Sequence, residues 1–294
     1  MTAESRALTS VIMVTYNTGP VLYEAIASVL AQNAPIELIL VNNGNPEDDV
    51  KKLAAEAQDN SRFKFITGQG NVGFSKGCNN GAKVATGEYL LFLNPDSSLL
   101  PDAISKLKYE AASLRRPFML GARVLDKEGK DQRGSRRAIL TPVTALIEAL
   151  HLHYLFPLAR LNYHEAPMPY TTAAIPAISG SFMFIPREDF WGIGGFDEGY
   201  FLHVEDLDLC LRFRRQGGEI YIVPRVVVTH IGATSKATKA FIERHKAAGF
   251  RRYFHKNFSY EYPSVLLVIL DMAGWIRAEL KIWLGVARHF LKGE

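Results

Sequence analysis

The chain has 294 residues, 48% of them hydrophobic, with 34 Lys and Arg against 30 Asp and Glu and a net charge of +4. That is long enough for one substantial core, or for one domain with an appendage. The slight positive excess makes no case for nucleic acid, yet suits an anionic phosphate ligand or an anionic membrane surface. Cys78 and Cys210 offer neither a disulfide framework nor zinc spacing, so a reduced, cytosolic protein is expected. The opening MTAESRALTS lacks a basic start followed by an apolar run, so no signal peptide is expected. No stretch reaches the ~18 uncharged apolar residues of a spanning helix.

In chain order, Ser10 to Thr15 reads as a buried strand and Pro20 to Gln32 as a helix with Pro in its first turn. Ile36 to Val41 is a second strand, and Pro46 to Gln58 a second helix. Phe63 to Thr67 is a short strand, Gly73 to Ala85 a helix, and Tyr89 to Leu93 a strand. Continuous apolar strands alternating with helices predict an α/β fold, a doubly wound, mostly parallel sheet covered on both faces. Its ligand belongs beyond the carboxyl ends of the strands. Residues 126 to 176 are less regular, with a basic cluster at Arg133, Arg136 and Arg137 and an apolar stretch from Ala145 to Leu161. Ile178 to Ile185 reads as a strand, Val204 to Gln216 as a helix, and Ile220 to Val223 and Val226 to His230 as strands. From Ala233 the pattern is helical, basic and apolar. The reading divides the chain into a catalytic domain, residues 1–232, and a C-terminal helical extension, residues 233–294.

Four places carry chemistry. Leu91 to Leu93 runs into Asn94-Pro95-Asp96, where a carboxylate at the ligand edge of the sheet can hold a hard divalent ion, though Asn-Pro-Asp is also good turn chemistry. Glu205, Asp206 and Asp208 crowd a helix start, as capping alone would favour. Glu205 and Asp206 point in different directions on a helix, so one suits a base and the other a structural role. Val226 to Thr229 delivers His230 at a strand end, as a metal or phosphate ligand or as a structural imidazole. Asn71-Val72-Gly73-Phe74, followed by Gly77 and Asn79, lets backbone approach a nucleotide closely, without the spacing of GxGxxG or a Walker loop.

These pieces stand in one order. Val14-Thr15-Tyr16-Asn17 and Val41-Asn42-Asn43-Gly44 end the first two strands. Asn71 to Phe74, Asn94 to Asp96, Gly194 to Glu198, Glu205-Asp206 and His230 follow. The set resembles glycosyltransferase family 2, with the GT-A fold, over roughly residues 8 to 235. Asn-Pro-Asp, the stretch from Ser135 through Pro157 and the block from Ser179 to Arg212 are similar to the family's bacterial rhamnosyltransferases. The resemblance implies a metal-dependent, inverting transfer of rhamnose from dTDP-rhamnose to a polyprenyl-diphosphate-linked sugar in cell-surface polysaccharide assembly. It implies that Thr15, Tyr16, Asn17, Asn42, Asn43, Asn71, Gly73, Phe74, Asn79, Asn94 and Asp96 bind the nucleotide sugar. Asn42 stands where the family carries Asp and would accept the N3 proton of the base. Asp96 and His230 would hold Mg2+ or Mn2+, and Asp206 would be the base, with Glu205 its competitor. Other readings are a UDP-sugar donor, or an inactive nucleotide-sugar-binding scaffold. Ser264 to Ile276, with Arg277, Lys281, Arg288 and Lys292 among Trp and Leu beyond, suits a helix lying on the inner face of an anionic cell membrane. Packing on the catalytic domain or on a second copy of the chain is the other use of such a helix.

Overall fold

A computed structural model describes residues 7–149, 160–232 and 234–292. β1 (Thr9–Tyr16) is apolar because both its faces are covered. α1 (Val21–Leu30) lies over it, burying Leu22, Ala25, Ile26 and Val29 at helical spacing. β2 (Ile36–Gly44), α2 (Glu47–Asp59), β3 (Phe63–Ile66), α3 (Phe74–Val84) and β4 (Tyr89–Leu93) complete a wound half in which β1 pairs in parallel with β2 and β4, and β2 with β3.

The second half is mixed. β5 (Ser97–Leu99), α4 (Ala103–Ala111) and β6 (Phe118–Leu125) follow the Asn-Pro-Asp turn. Then come β7 (Arg136–Arg137), α5 (Pro142–Ala149), β8 (Ala173–Ala174), β9 (Ala177–Ile178), β10 (Phe182–Pro186) and α6 (Arg187–Gly192). α7 (Glu205–Arg215), β11 (Glu219–His230), α8 (Lys239–Phe258) and α9 (Ser264–Lys292) end the chain. The sheet order is β3-β2-β1-β4-β10-β6-β11-β5, with β8 beside β11 and a separate β7–β9 ribbon. β10 runs antiparallel to both β4 and β6, so the parallel character belongs to the first half and to the β6–β11 pair.

Three expectations change in detail. The strand expected over Ile178 to Ile185 is two strands, because Ser179-Gly180-Ser181 turns between β9 and β10. The two strands expected after Gln216 are one, β11, interrupted only by a register shift between Val223 and Val227. The helix expected from Ala233 begins at Lys239, where the Thr238 hydroxyl caps the Phe241 N–H. Of the apolar stretch Ala145 to Leu161, residues 150–159 lie outside the described residues.

α8 and α9 lie side by side, joined by His255–Asp271 at 2.7 Å, Lys281–Glu243 at 3.1 Å and Arg244–Glu279 at 2.9 Å. Tyr253, Phe254 and Phe258 of α8 and Leu267 of α9 are buried in the same apolar cluster as β4 and α7. The opposite face of α9 leaves Val265, Val268, Met272, Ile276, Leu280 and Trp283 exposed.

Glu37 of β2 ties the strands together from inside. Its carboxylate accepts from Ser10 Oγ at 2.6 Å, from the Thr86 N–H at 2.6 Å and from Thr86 Oγ1 at 2.8 Å, and pairs with Lys64 at 2.6 Å. Burial alone would raise its pKa, but Lys64, Ser10 and Thr86 hold it near 2 against an ordinary 4.5. The stability this gives is complete above pH 4.5 and is lost as pH falls toward 2. The loss amounts to about 3 kcal/mol. Glu37→Gln is therefore expected to be costly at pH 7 and nearly silent at the acid end, in urea titrations at each pH. Equal losses at both ends would contradict the linkage.

Candidate active site

The carboxyl ends of β1 and β2 meet at Tyr16 and Gly44. Gly44 has φ +140°, and a Cβ there would stand 3.1 Å from the Tyr16 ring, so the turn requires glycine. The Asn17 N–H donates to the Gly44 carbonyl at 2.9 Å, and Asn17 itself takes φ +46°. Thr15 is buried, its hydroxyl 2.9 Å from that of Thr18. Asn42 departs from its expected use. Its Oδ1 accepts from the Gly44 N–H at 3.1 Å and from Asn45 Nδ2 at 2.8 Å, and its Nδ2 donates to Thr67 Oγ1 at 3.0 Å. Both lone pairs of that oxygen are engaged inside the protein, so it shapes the loop rather than waiting for a base proton.

The Asn71–Asn79 segment is also largely framework. Gly73 takes φ +85°, and a Cβ on it would fall 2.7 Å from the Phe201 carbonyl, to which the Phe74 N–H donates at 2.7 Å. Asn71 Oδ1 accepts from the Gly73 N–H at 3.2 Å, and Asn43 Nδ2 donates to the Gly73 carbonyl at 2.8 Å. Phe74 packs edge-on to Phe196. Asn79 is buried and exchanges hydrogen bonds with both backbone groups of Phe196, at 2.8 and 3.0 Å. It braces the Gly194–Glu198 loop from within.

Asp96 and His230 do come together, because β5 pairs antiparallel with β11 and sets His230 opposite Ser97. His230 Nε2 lies 3.1 Å from Asp96 Oδ1 and 3.1 Å from Asn94 Nδ2. Asp96 Oδ2 accepts from the Thr234 hydroxyl at 3.0 Å. Burial would raise the Asp96 carboxyl, but His230 and Thr234 hold it below its ordinary value. His230 Nδ1 stands 2.7 Å from Gln132 Oε1. That contact assigns the Nδ1–H to Gln132 and leaves Nε2 facing the Asp96 carboxylate. A carboxylate oxygen and an imidazole nitrogen this close share a proton, and the same two atoms fit a metal cation in its place. Among the described residues no third acidic, His or Cys side chain joins them. The set therefore fits a hard ion that takes its remaining ligands from phosphate and water.

From this turn the path to the acids of α7 is short. The Asn94 N–H donates to the Ser181 carbonyl at 3.0 Å, and the Gly180 N–H donates to Asp206 Oδ2 at 3.0 Å. Arg137 Nη2 grips the same carboxylate oxygen and also donates to the Ile178 carbonyl at 3.0 Å. The Leu207 N–H meets Asp206 Oδ1 at 2.8 Å. Burial would raise the Asp206 carboxyl, but Arg137 and these N–H groups hold it low and ionised. Glu205 faces inward, near the Cys78 thiol of α3, and its Oε2 is buried without a hydrogen-bond partner. Burial, then the neighbouring Asp206, push its carboxyl well up and keep it protonated.

The chain reaches α7 through two left-handed residues, His203 at φ +67° and Val204 at φ +73°. For a β-branched residue that conformation is strained, and it persists because the surroundings impose it. Phe201 stacks on His245 of α8 at 4.5 Å, and Gly249 of α8 leaves room for the His203 carbonyl. Burial and Lys246 together press the His203 imidazole down to about 4, so it is neutral.

Arg137 entered the sequence reading only as part of a basic cluster, and Gln132, Thr234 and Lys246 did not enter at all. Each acts across more than twenty residues of chain, and no local pattern marks it. Asp208, expected only as one acid among three, is fully buried and accepts from Arg212 at 2.6 Å, Lys256 at 2.9 Å, Asn257 at 3.0 Å and Tyr200 at 3.2 Å.

Residues 10–194 match the glycosyl transferase family 2. The chain is 26% identical over 289 residues to an N-acetylglucosaminyl-diphospho-decaprenol L-rhamnosyltransferase of Mycobacterium tuberculosis, covering 92% of this chain and 87% of the relative. It is 26% identical over 232 residues to the rhamnosyltransferase WbbL of Escherichia coli, covering 66% and 83%. The crystal structure of GalNAc-T7 with UDP, GalNAc and Mn2+ superposes with a TM-score of 0.61 at 17% identity, over 98% of this chain and 59% of that one, a likeness of fold. By its family match and its strand-end site, the chain belongs to glycosyl transferase family 2 and is a glycosyltransferase.

Proposed function

We propose that the protein transfers rhamnose from dTDP-rhamnose to a polyprenyl-diphosphate-linked saccharide, with inversion, in the assembly of a cell-surface polysaccharide. The observation that carries this reading is the link from the Asn94 turn through Ser181 and Gly180 to Asp206, with Arg137 completing it. It sets a leaving-group site beside an ionised carboxylate. The rhamnosyltransferase names of the relatives support the sugar, and the decaprenol-diphosphate name of one supports the acceptor.

In this reading Asp206 takes the proton of the acceptor hydroxyl as that oxygen attacks the anomeric carbon. One base and no covalent step invert the centre. Asp96 and His230 would hold a divalent ion, Mg2+ or Mn2+, which when bound neutralises charge gathering on the leaving diphosphate. Tyr16 and Asn17, at the open ends of β1 and β2, would line the base pocket. Residues 1–232 form the catalytic domain in this reading and 233–294 the membrane-proximal extension. Among the described residues no helix is long and apolar enough to cross a membrane. The exposed apolar face of α9 suits a helix lying on an anionic surface at the inner side of the cell membrane.

The test is transfer by purified protein from dTDP-rhamnose and from a panel of UDP-sugars to a short polyprenyl-diphosphate-GlcNAc. Rhamnose transfer with Mg2+ or Mn2+ is expected, abolished by EDTA and reduced at least ~100-fold in Asp96→Ala, since one of two protein ligands is lost. Transfer from a UDP-sugar instead would keep the mechanism and reject the donor. EDTA-insensitive transfer would reject the metal assignment.

A further inference from the structure

Near Arg137, the partner of Asp206, three cations converge with too few acids to neutralise them. Lys246 sits on α8 between two fixed points. Gly249, three residues on, packs so near the His203 carbonyl that a Cβ on it would stand 3.0 Å away, and Glu243, three residues back, pairs with Lys281 of α9 at 3.1 Å. The half-buried Lys246 ammonium thus lies between the His203–Asp206 loop and α9. Among the described residues no carboxylate comes within ion-pair distance of it or of Arg277. Arg277, Lys281 and Arg137 all act on Lys246 as repelling charges, and Glu243 relieves it in part. Arg137 is already engaged by Asp206. Three cations beside one carboxylate, close to buried protein, make a seat for an anion.

Its position names the anion. Asp206, where an acceptor hydroxyl would lose its proton, is linked to the Asn94 turn through Gly180 and Ser181 and to the cations through Arg137. The cations in turn border the exposed apolar face of α9, since Arg277 follows Ile276, and Lys281 follows Leu280. A molecule spanning these three zones carries a sugar, then a concentrated negative charge, then an apolar chain. We infer that Lys246, Arg277 and Lys281 hold the diphosphate of the lipid acceptor, with its prenyl chain leaving along the apolar face of α9. The inference rests on the proposed reading that the acceptor is a lipid diphosphate. A doubly charged diphosphate group answers three cations where a single carboxylate would not.

The experiment uses the full chain and two probes. Farnesyl diphosphate and farnesyl monophosphate are titrated calorimetrically into protein saturated with dTDP, comparing wild type with Arg277→Gln and with Lys246→Gln/Arg277→Gln. At roughly tenfold per charge-assisted contact, the single variant is expected to bind farnesyl diphosphate about 10-fold and the double about 100-fold more weakly. The monophosphate is expected to be weaker from the start and less affected. Arg277 is exposed, so the single variant keeps the fold, and Lys246→Arg is expected to restore binding. In transfer assays the acceptor KM should rise by the same factors while donor KM stays constant. Unchanged farnesyl diphosphate affinity in both variants overturns the inference. A rise in donor KM in place of acceptor KM also overturns it, because the cations would then serve the nucleotide's own diphosphate. Failure of every polyprenyl-diphosphate acceptor, with farnesyl diphosphate binding still dependent on Lys246 and Arg277, would support the seat and reject only the proposed reaction.

Discussion

Asp206→Asn is expected to lower kcat for sugar transfer by about 1,000-fold, within the range a positioned general base contributes. Nucleotide binding should be unchanged. The substitution keeps the shape of the side chain but leaves one oxygen for the Gly180 and Leu207 N–H groups, which meet different oxygens of Asp206, and it removes the charge that accepts a proton and pairs with Arg137. Glu205→Gln is the control. That carboxyl is already neutral, buried against α3 and without a partner on Oε2, so its nearest neutral replacement should change kcat by no more than a few fold. Arg137 keeps Asp206 ionised below its ordinary 3.8, so kcat/KM should not fall on the acid side until pH drops beneath that value. A dead Glu205→Gln beside an active Asp206→Asn, measured by steady-state kinetics, would exchange the two roles.

The largest effect on stability is expected at Asp208. Asp208→Leu leaves Arg212, Lys256, Asn257 and Tyr200 turned toward an apolar side chain at a point with no solvent access. Removing one partner of a buried charge network costs about 3–5 kcal/mol, because the remaining charges stay desolvated. For a chain of this size that is a fall of roughly 10 °C in melting temperature. Asp208→Asn, which still accepts one hydrogen bond, should fall about half as far. The hub joins α7 to α8 and, through Arg212, to the Ile193 and Gly195 carbonyls. A thermal scan in which Asp208→Leu melts with the wild type would show that the network is not what binds these elements.

The wound half was legible because burial on both faces writes itself into the residues. Val11 to Val14, Leu38 to Val41 and Leu90 to Leu93 are apolar without interruption. The antiparallel insertion of β10 was not legible, since an apolar run of five residues reads the same in either direction. Of the candidate site, Asp96, His230 and Asp206 could be found because each ends a strand or begins a helix. What each touches could not. Gln132 behind His230, Arg137 on Asp206 and Thr234 on Asp96 are set by sheet register and loop closure. Asn42, Asn43 and Asn79 show the converse. Their positions invite a ligand, but their amides serve the backbone of neighbouring loops, and a sequence cannot tell an Asn facing outward from one facing in.

The place of β10 has a consequence for how the chain is made. β4 is complete at Leu93, yet the strand that covers its open edge ends at Pro186, and β6 gains its link to β4 only through that same strand. At ~5–20 residues per second, a ribosome needs on the order of ten seconds to supply it. For that interval an apolar edge stands unpaired beside the tunnel mouth, open to the equivalent edge of a neighbouring nascent chain. Yield on overexpression should therefore be limited by what shields β4 during synthesis rather than by the stability of the finished fold.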